Sequence, residues 1–180
     1  MKKTLVISAH PNIGQSTANA YILDQLNEST STTVRHLDSI YPDYQIDVAA
    51  EQQLLQESDV VVFQFPLFWY SVPPMLKKWF DDVFTYGFAY GENGDKLKGK
   101  KVLLSVTTGG PEEAYSSTGY NQISVKEVLV PLIQTFKLTQ MEFVDLNVSY
   151  AMVAMQHGEE AVLTKAKDHV QKLADQLAAL

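Results

Sequence analysis

Asp59-Val60-Val61-Val62-Phe63-Gln64-Phe65 decides the fold of this 180-residue chain. Val60 to Phe63 are consecutive β-branched or aromatic residues that leave no polar face. A run that is apolar on both sides predicts a central parallel strand covered by helices above and below. The flanking sequence supplies such helices. Ala49 to Gln56 precedes the run as a short helix. After it, Pro73-Pro74 suits a first helical turn, and Leu76, Trp79, Phe80 and Val83 recur at helical spacing.

The same alternation continues outward. Thr4 to Ser8 reads as a buried strand through Leu5, Val6 and Ile7, followed by a helix from Ser16 to about Asn27. Thr32 to Leu37 is a weaker strand. Lys101 to Val106 is a fourth, ending in Thr107-Thr108-Gly109-Gly110. Val125, Val128, Leu129, Leu132, Ile133 and Phe136 mark a helix that Pro131 should bend or deprive of one backbone bond. Met141 to Val148 is a fifth strand, and Val162, Ala166, Val170, Leu173 and Leu177 mark the last helix. Five strand–helix units predict a parallel sheet with helices on both faces, an α/β three-layer sandwich. Five strands in this length favour the flavodoxin-like order, with residues 1–180 forming one domain.

Composition narrows the function. The net charge of −7 argues against nucleic acid, whose phosphates would be repelled. The chain has no cysteine, which excludes disulfides, thiolate metal sites and thiol catalysis. The apolar stretch after Lys2-Lys3 is broken at His10-Pro11, too early for a secretory leader, and no apolar run is long enough to cross a bilayer. These readings favour a cytoplasmic protein without direct membrane insertion. Any contact with a membrane would come through a partner at its inner face. His36, His157 and His169 lack metal-ligand spacing and are expected at the surface, and no metal site is assigned. Glu112 and Glu113 read as a solvated loop.

Open parallel sheets bind ligands outside the carboxyl ends of their strands, which singles out three loops. The first, His10 to Asn19, runs from a strand into a helix, so its amides and the side chains of Ser16, Thr17 and Asn19 could hold a phosphate. Plain capping by Ser16 explains the same residues. G-x-x-x-x-G-K-[ST] and G-x-G-x-x-G are both absent, which weakens an ATPase or a dinucleotide site. The second loop, Gln64 to Pro74, carries Phe65, Phe68, Trp69 and Tyr70. A flat heterocycle would find stacking surface there, and so would a second subunit. The third, Thr107 to Pro111, has two glycines that allow close backbone approach, or simply form a turn.

His10-Pro11, the segment Gln64 to Lys77, Phe88-Ala89-Tyr90-Gly91 and Thr107 to Gly110 together resemble the NAD(P)H dehydrogenase (quinone) family over nearly the whole chain. Tyr41-Pro42-Asp43, Ile46-Asp47 and Ala49-Ala50-Glu51-Gln52 resemble one branch of it, the bacterial quinone oxidoreductases that serve as ancillary subunits of glutathione-gated potassium efflux systems. The resemblance implies a homodimer with a non-covalent flavin at its interface and two-electron reduction of quinones by NAD(P)H in a ping-pong cycle. It implies that His10, Ser16, Thr17, Ala18 and Asn19 hold the flavin phosphate. Pro66, Leu67, Phe68, Trp69 and Tyr70 would line the ring, and Thr107, Thr108, Gly109 and Gly110 would give amides to its pyrimidine side.

The mammalian members pair a tyrosine with a histidine six residues later. Tyr115 matches the tyrosine and is the candidate catalytic residue, but Asn121 stands at the histidine position and cannot be protonated. The chain is shorter at its C-terminus than the mammalian enzymes, which favours FMN over FAD. Two other readings are a flavin-binding regulatory subunit of a potassium efflux transporter and a one-electron carrier. The His-Pro first loop differs from the Thr/Ser-rich loop usual in such carriers.

Overall fold

The computed structural model describes residues 2–28 and 30–180. Five strands, β1 (Thr4–Ser8), β2 (Thr32–His36), β3 (Val60–Pro66), β4 (Lys101–Thr107) and β5 (Glu142–Ser149), form one sheet in the order β2-β1-β3-β4-β5. Every neighbouring pair is parallel. This is the flavodoxin-like order expected from the sequence. The helices are α1 (Thr17–Asn27), α2 (Leu37–Ile40), α3 (Val48–Glu57), α4 (Pro74–Val83), α5 (Val125–Val128), α6 (Val130–Leu138), α7 (Ala154–His157) and α8 (Glu159–Ala178).

Alternation along the strands builds two cores. Leu5, Ile7, Val61, Phe63, Phe65, Leu104 and Val106 face one side and pack with Leu55, Leu76, Trp79, Phe80 and Phe136. Val6, Val62 and Leu103 face the other side and pack with Ile22, Leu23, Leu26, Ala166 and Leu173. Phe63 stacks on Phe136 at 5.4 Å and meets the edge of Trp79 at 5.8 Å. All seven residues of β3 are buried, as the two-sided apolar run requires.

Some local details differ from the sequence reading. The second strand stops at His36, because Leu37 turns inward to begin α2, a helix the sequence pattern did not reveal. Pro131 does more than bend the fourth helix. The backbone leaves helical geometry at Leu129, with φ −91° and ψ 6°, and separates α5 from α6. His169 is the clearest correction among the polar residues. Expected at the surface, it is only 2% exposed and sits on the inward stripe of α8.

Candidate functional site

The carboxyl ends of β1, β3 and β4 lie side by side, so the loops that follow them converge. Leu67 N donates to Thr107 O at 2.8 Å, joining the second loop to the third. A buried polar network ties in the first. Gln64 is the one polar residue between Val60 and Phe65; its Oε1 accepts from Ser8 Oγ at 2.7 Å and its Nε2 donates to Asn19 Oδ1 at 2.6 Å. Thr107 Oγ1 donates to the same Asn19 oxygen at 3.1 Å, and Asn19 Nδ2 donates to Ser16 Oγ at 2.9 Å. Both ends of the Asn19 amide are thus occupied, so its side chain anchors the loop to the sheet rather than facing outward.

Ser16 caps α1 by accepting from Asn19 N at 3.2 Å. The amides of Thr17 and Ala18, in the first turn, have no intrahelical acceptor and carry the positive end of the helix dipole. His10 is fixed at the other end of the loop. Its amide donates to Asp38 Oδ2 at 2.7 Å, its Nδ1 accepts from Asn12 N at 3.1 Å, and its ring meets Phe68 edge-on at 5.8 Å. Burial lowers the pKa of the imidazole, with Asp38 opposing the shift and His36 reinforcing it.

The second loop turns back on itself within four residues. Phe68 and Ser71 exchange two backbone hydrogen bonds of 3.0 Å, with Trp69 at φ +48° and Tyr70 at φ +60° between them. Two positive φ values are the mark of a type I′ turn, a position that favours glycine or asparagine. Two bulky aromatics held there store strain, and strain of this kind concentrates at functional sites. Trp69 is 94% exposed at the tip. Beside the hairpin, a groove of about 440 Å³ runs between α4 and α6, bounded by Tyr70, Val72, Phe80, Phe84, Leu132 and Leu138 among others.

In the third loop, Thr108 N donates to Ser149 O at 2.9 Å. Within this loop the amides of Gly109 and Gly110 are therefore the ones left without an acceptor among the described residues. A Cβ at Gly110 would stand 3.1 Å from the Tyr115 ring, so glycine is what lets that ring lie against the loop. Burial raises the pKa of the Tyr115 hydroxyl, and the nearby Tyr70 adds to the shift, while the Thr108 side chain opposes it. At neutral pH Tyr115 keeps its proton and is a hydrogen-bond donor. Asn121 is not aimed at Tyr115; its Oδ1 accepts from Tyr70 Oη at 2.9 Å.

The sequence matches the family described as having a flavodoxin-like fold over residues 2–174. The chain belongs to that flavodoxin-like family. Within it, the chain is 38% identical to the glutathione-regulated potassium-efflux system ancillary protein KefG of Yersinia enterocolitica, over 98% of this chain and 95% of that protein. The crystal structure of general stress protein 14 from Treponema denticola in complex with FMN is 39% identical. It covers 97% of this chain and 99% of its own, with a TM-score of 0.89. An NADPH-quinone reductase from P. pentosaceus superposes with a TM-score of 0.81 at 26% identity, over 94% of this chain and 96% of its own.

Asp38, outside the three predicted loops, and Gln64, at the start of the second, also shape this flavodoxin-like site. Asp38 holds His10, and no pattern in the sequence marks it. Gln64 was visible as the single polar residue in an apolar run. Among the described residues, no cluster of His, Asp and Glu could hold a metal ion, and no helix is long and apolar enough to cross a membrane.

Proposed function

We propose that the chain is an FMN-dependent NAD(P)H:quinone oxidoreductase. The reading rests chiefly on one juxtaposition: the strained Phe68–Ser71 hairpin stands beside the two free glycine amides and the first turn of α1. A planar, phosphorylated heterocycle needs a flat apolar wall, donors at its polar edge and an anion site, and these residues offer each. Thr17, Ala18, Ser16 and His10 would hold the phosphate, with Asn19 holding the loop in place. Pro66 to Tyr70 would line the ring, and Gly109 and Gly110 would donate to its pyrimidine edge. The FMN complex of the Treponema denticola relative supports FMN over FAD.

When bound, the flavin supplies a centre that accepts hydride from NAD(P)H and passes it to a quinone. The chain needs no nucleophile or strong acid for this. Gly109 and Gly110 supply fixed dipoles where negative charge would gather on the ring. Tyr115, neutral at pH 7, donates a hydrogen bond beside them. Phe68 and Trp69 exclude water from one side of the planar substrate, whether nicotinamide or quinone. Each turnover oxidises one NAD(P)H and, with one proton from solvent, yields a hydroquinone.

The protein acts as a homodimer in this reading. Trp69 stands free of its own chain, and an apolar groove opens next to it, so a second subunit would cover both. A second role, as a cytoplasmic ancillary subunit at the inner face of a membrane carrying a potassium efflux system, is supported by the near full-length likeness to KefG. The two roles are compatible. Protein purified without added flavin should be yellow and release FMN on denaturation, and it should oxidise NAD(P)H rapidly when a quinone is present. A colourless protein that also fails to bind added FMN or FAD at micromolar concentration would sink the reading.

A further inference from the structure

Asn121 occupies a position from which a protonatable partner of Tyr115 is missing, yet its amide has definite work in the structure. Its side-chain oxygen accepts from Tyr70 Oη at 2.9 Å, and its backbone N donates to Ala114 O at 2.9 Å. Ala114 immediately precedes Tyr115. One residue therefore connects the tip of the aromatic hairpin to the base of the Tyr115 turn. The Tyr115 ring is held from its other side by Tyr150, at 5.8 Å between centroids, and by the glycine at 110.

The hairpin needs such a tie. Trp69 and Tyr70 both sit in the left-handed region, and only the two Phe68–Ser71 backbone bonds close the turn from within. Trp69 is almost wholly exposed and gives the turn little packing. The Tyr70 hydroxyl is thus the one side-chain hydrogen bond, among the described residues, that fixes the tip to another part of the protein. We propose that Asn121 is a positioning residue. Through Tyr70 it locks the Phe68–Ser71 hairpin against the Tyr115 turn and thereby fixes the wall on which the planar acceptor stacks. Asn121 thus serves as a latch between the two loops that flank the acceptor. Asn121 touches neither cofactor nor substrate in this role.

The role in substrate binding rests on the quinone reductase reading, so the test has one readout that does not need turnover. Hydrogen exchange at the Phe68 and Ser71 amides is measured on the full-length protein in flavin-free and FMN-loaded form. A hydrogen bond of ordinary net strength shifts an opening equilibrium by about fivefold. Exchange at these two amides should therefore quicken by about fivefold in Tyr70→Phe and in Asn121→Leu. Because both variants remove the same bond, the double variant should be no faster than either alone. Asn121→Asp, which keeps the acceptor, should restore the parental rate. Amides within β3 and β4 should not change in any of them. In the FMN-loaded enzyme, Asn121→Leu should raise the KM for a naphthoquinone about fivefold at unchanged kcat and unchanged FMN content, and Asn121→Asp should bring it back.

Unchanged exchange in both single variants would overturn the latch, as would additive effects in the double variant. Quickened exchange with an unaltered quinone KM would overturn its role at the acceptor wall. A parent protein that binds no flavin fails the underlying reading instead, and it shows this before any variant is compared.

Discussion

Trp79 Nε1 donates to Glu51 Oε2 at 3.0 Å in the interior, where Glu51 has no exposed surface. The other oxygen of that carboxylate accepts from Arg35 Nη2 at 2.6 Å and from Tyr41 Oη at 2.7 Å. One buried charge thereby joins β2, the turn after α2, α3 and α4. It also fixes the ends of α2, and Asp38 on α2 is the residue that holds His10 in the first site loop.

Removal of Glu51 should be costly for that reason. Glu51→Ala would leave the Arg35 guanidinium, the Tyr41 hydroxyl and the Trp79 N–H without their shared acceptor. Breaking one side of a buried pair of this kind costs about 3–5 kcal/mol. Chemical denaturation should show a loss of that order, with Glu51→Gln less damaging because it keeps one acceptor. A loss under about 1 kcal/mol would mean that Arg35, whose side chain is 23% exposed, escapes to water.

His169 makes stability depend on pH. Its Nε2 lies 2.7 Å from Ser105 Oγ and its Nδ1 2.8 Å from Ser149 Oγ. Burial, aided by Lys172, pushes its pKa down from 6.5 to about 4. In the unfolded chain the imidazole takes up a proton near pH 6.5, while in the folded chain it does not until about pH 4. Unfolded protein therefore binds more protons between those values, and stability falls as pH drops through that window. The loss should total about 3 kcal/mol and be complete below pH 4. Denaturation midpoints measured from pH 7.5 to 4 should show this slope, and His169→Gln should flatten most of it, leaving the contribution of His10 and His36, whose pKa values burial also lowers. An equal slope in that variant would place the titration elsewhere.

The hairpin should show function and stability in opposition. Trp69 at φ +48° is strained, and its side chain is almost wholly exposed. Trp69→Gly relieves the backbone at little cost in packing, so thermal stability should hold or rise by about 0.5–1 kcal/mol. If Trp69 is part of the ring and substrate wall, the same variant should lose flavin more readily or show a higher KM for the quinone. Full flavin and activity with loss of the dimer, seen by light scattering, would make Trp69 a subunit anchor instead.

What the sequence revealed followed from how local its signals were. The two-sided apolar run at Val60 to Phe63 fixed a central strand, and five such units left few topologies open. The three loops of the candidate site could be picked out because each is continuous in sequence and follows a strand. Contacts between segments were not. Asp38 and His10 meet across 28 positions, and Tyr70 and Asn121 across 51. His169 misled because histidine is as common at the surface as inside. It nevertheless falls in the apolar stripe of α8, three residues after Ala166 and four before Leu173; what α8 alone does not show are the two serines on neighbouring strands that receive it.

Tyr115 is the residue on which the proposed chemistry depends most directly. Its hydroxyl is held neutral by burial first and by the nearby Tyr70 second, so it can donate but does not readily release its proton. The amides of Gly109 and Gly110 remain beside it when the hydroxyl is removed. Loss of a single preorganised donor costs roughly 10²–10³ in rate where it acts alone. With two backbone donors still present, Tyr115→Phe should lower turnover only about tenfold, or roughly 1.4 kcal/mol. Asn121→His should stay within a few-fold of the parent, since a neutral imidazole can still accept from Tyr70 and adds no partner that Tyr115 faces here. Stopped-flow measurement of the NAD(P)H and quinone half-reactions separates the two effects. A loss of about four orders of magnitude in Tyr115→Phe would make the hydroxyl an essential acid. No change in either half-reaction would reduce Tyr115 to a packing residue against Gly110 and Tyr150.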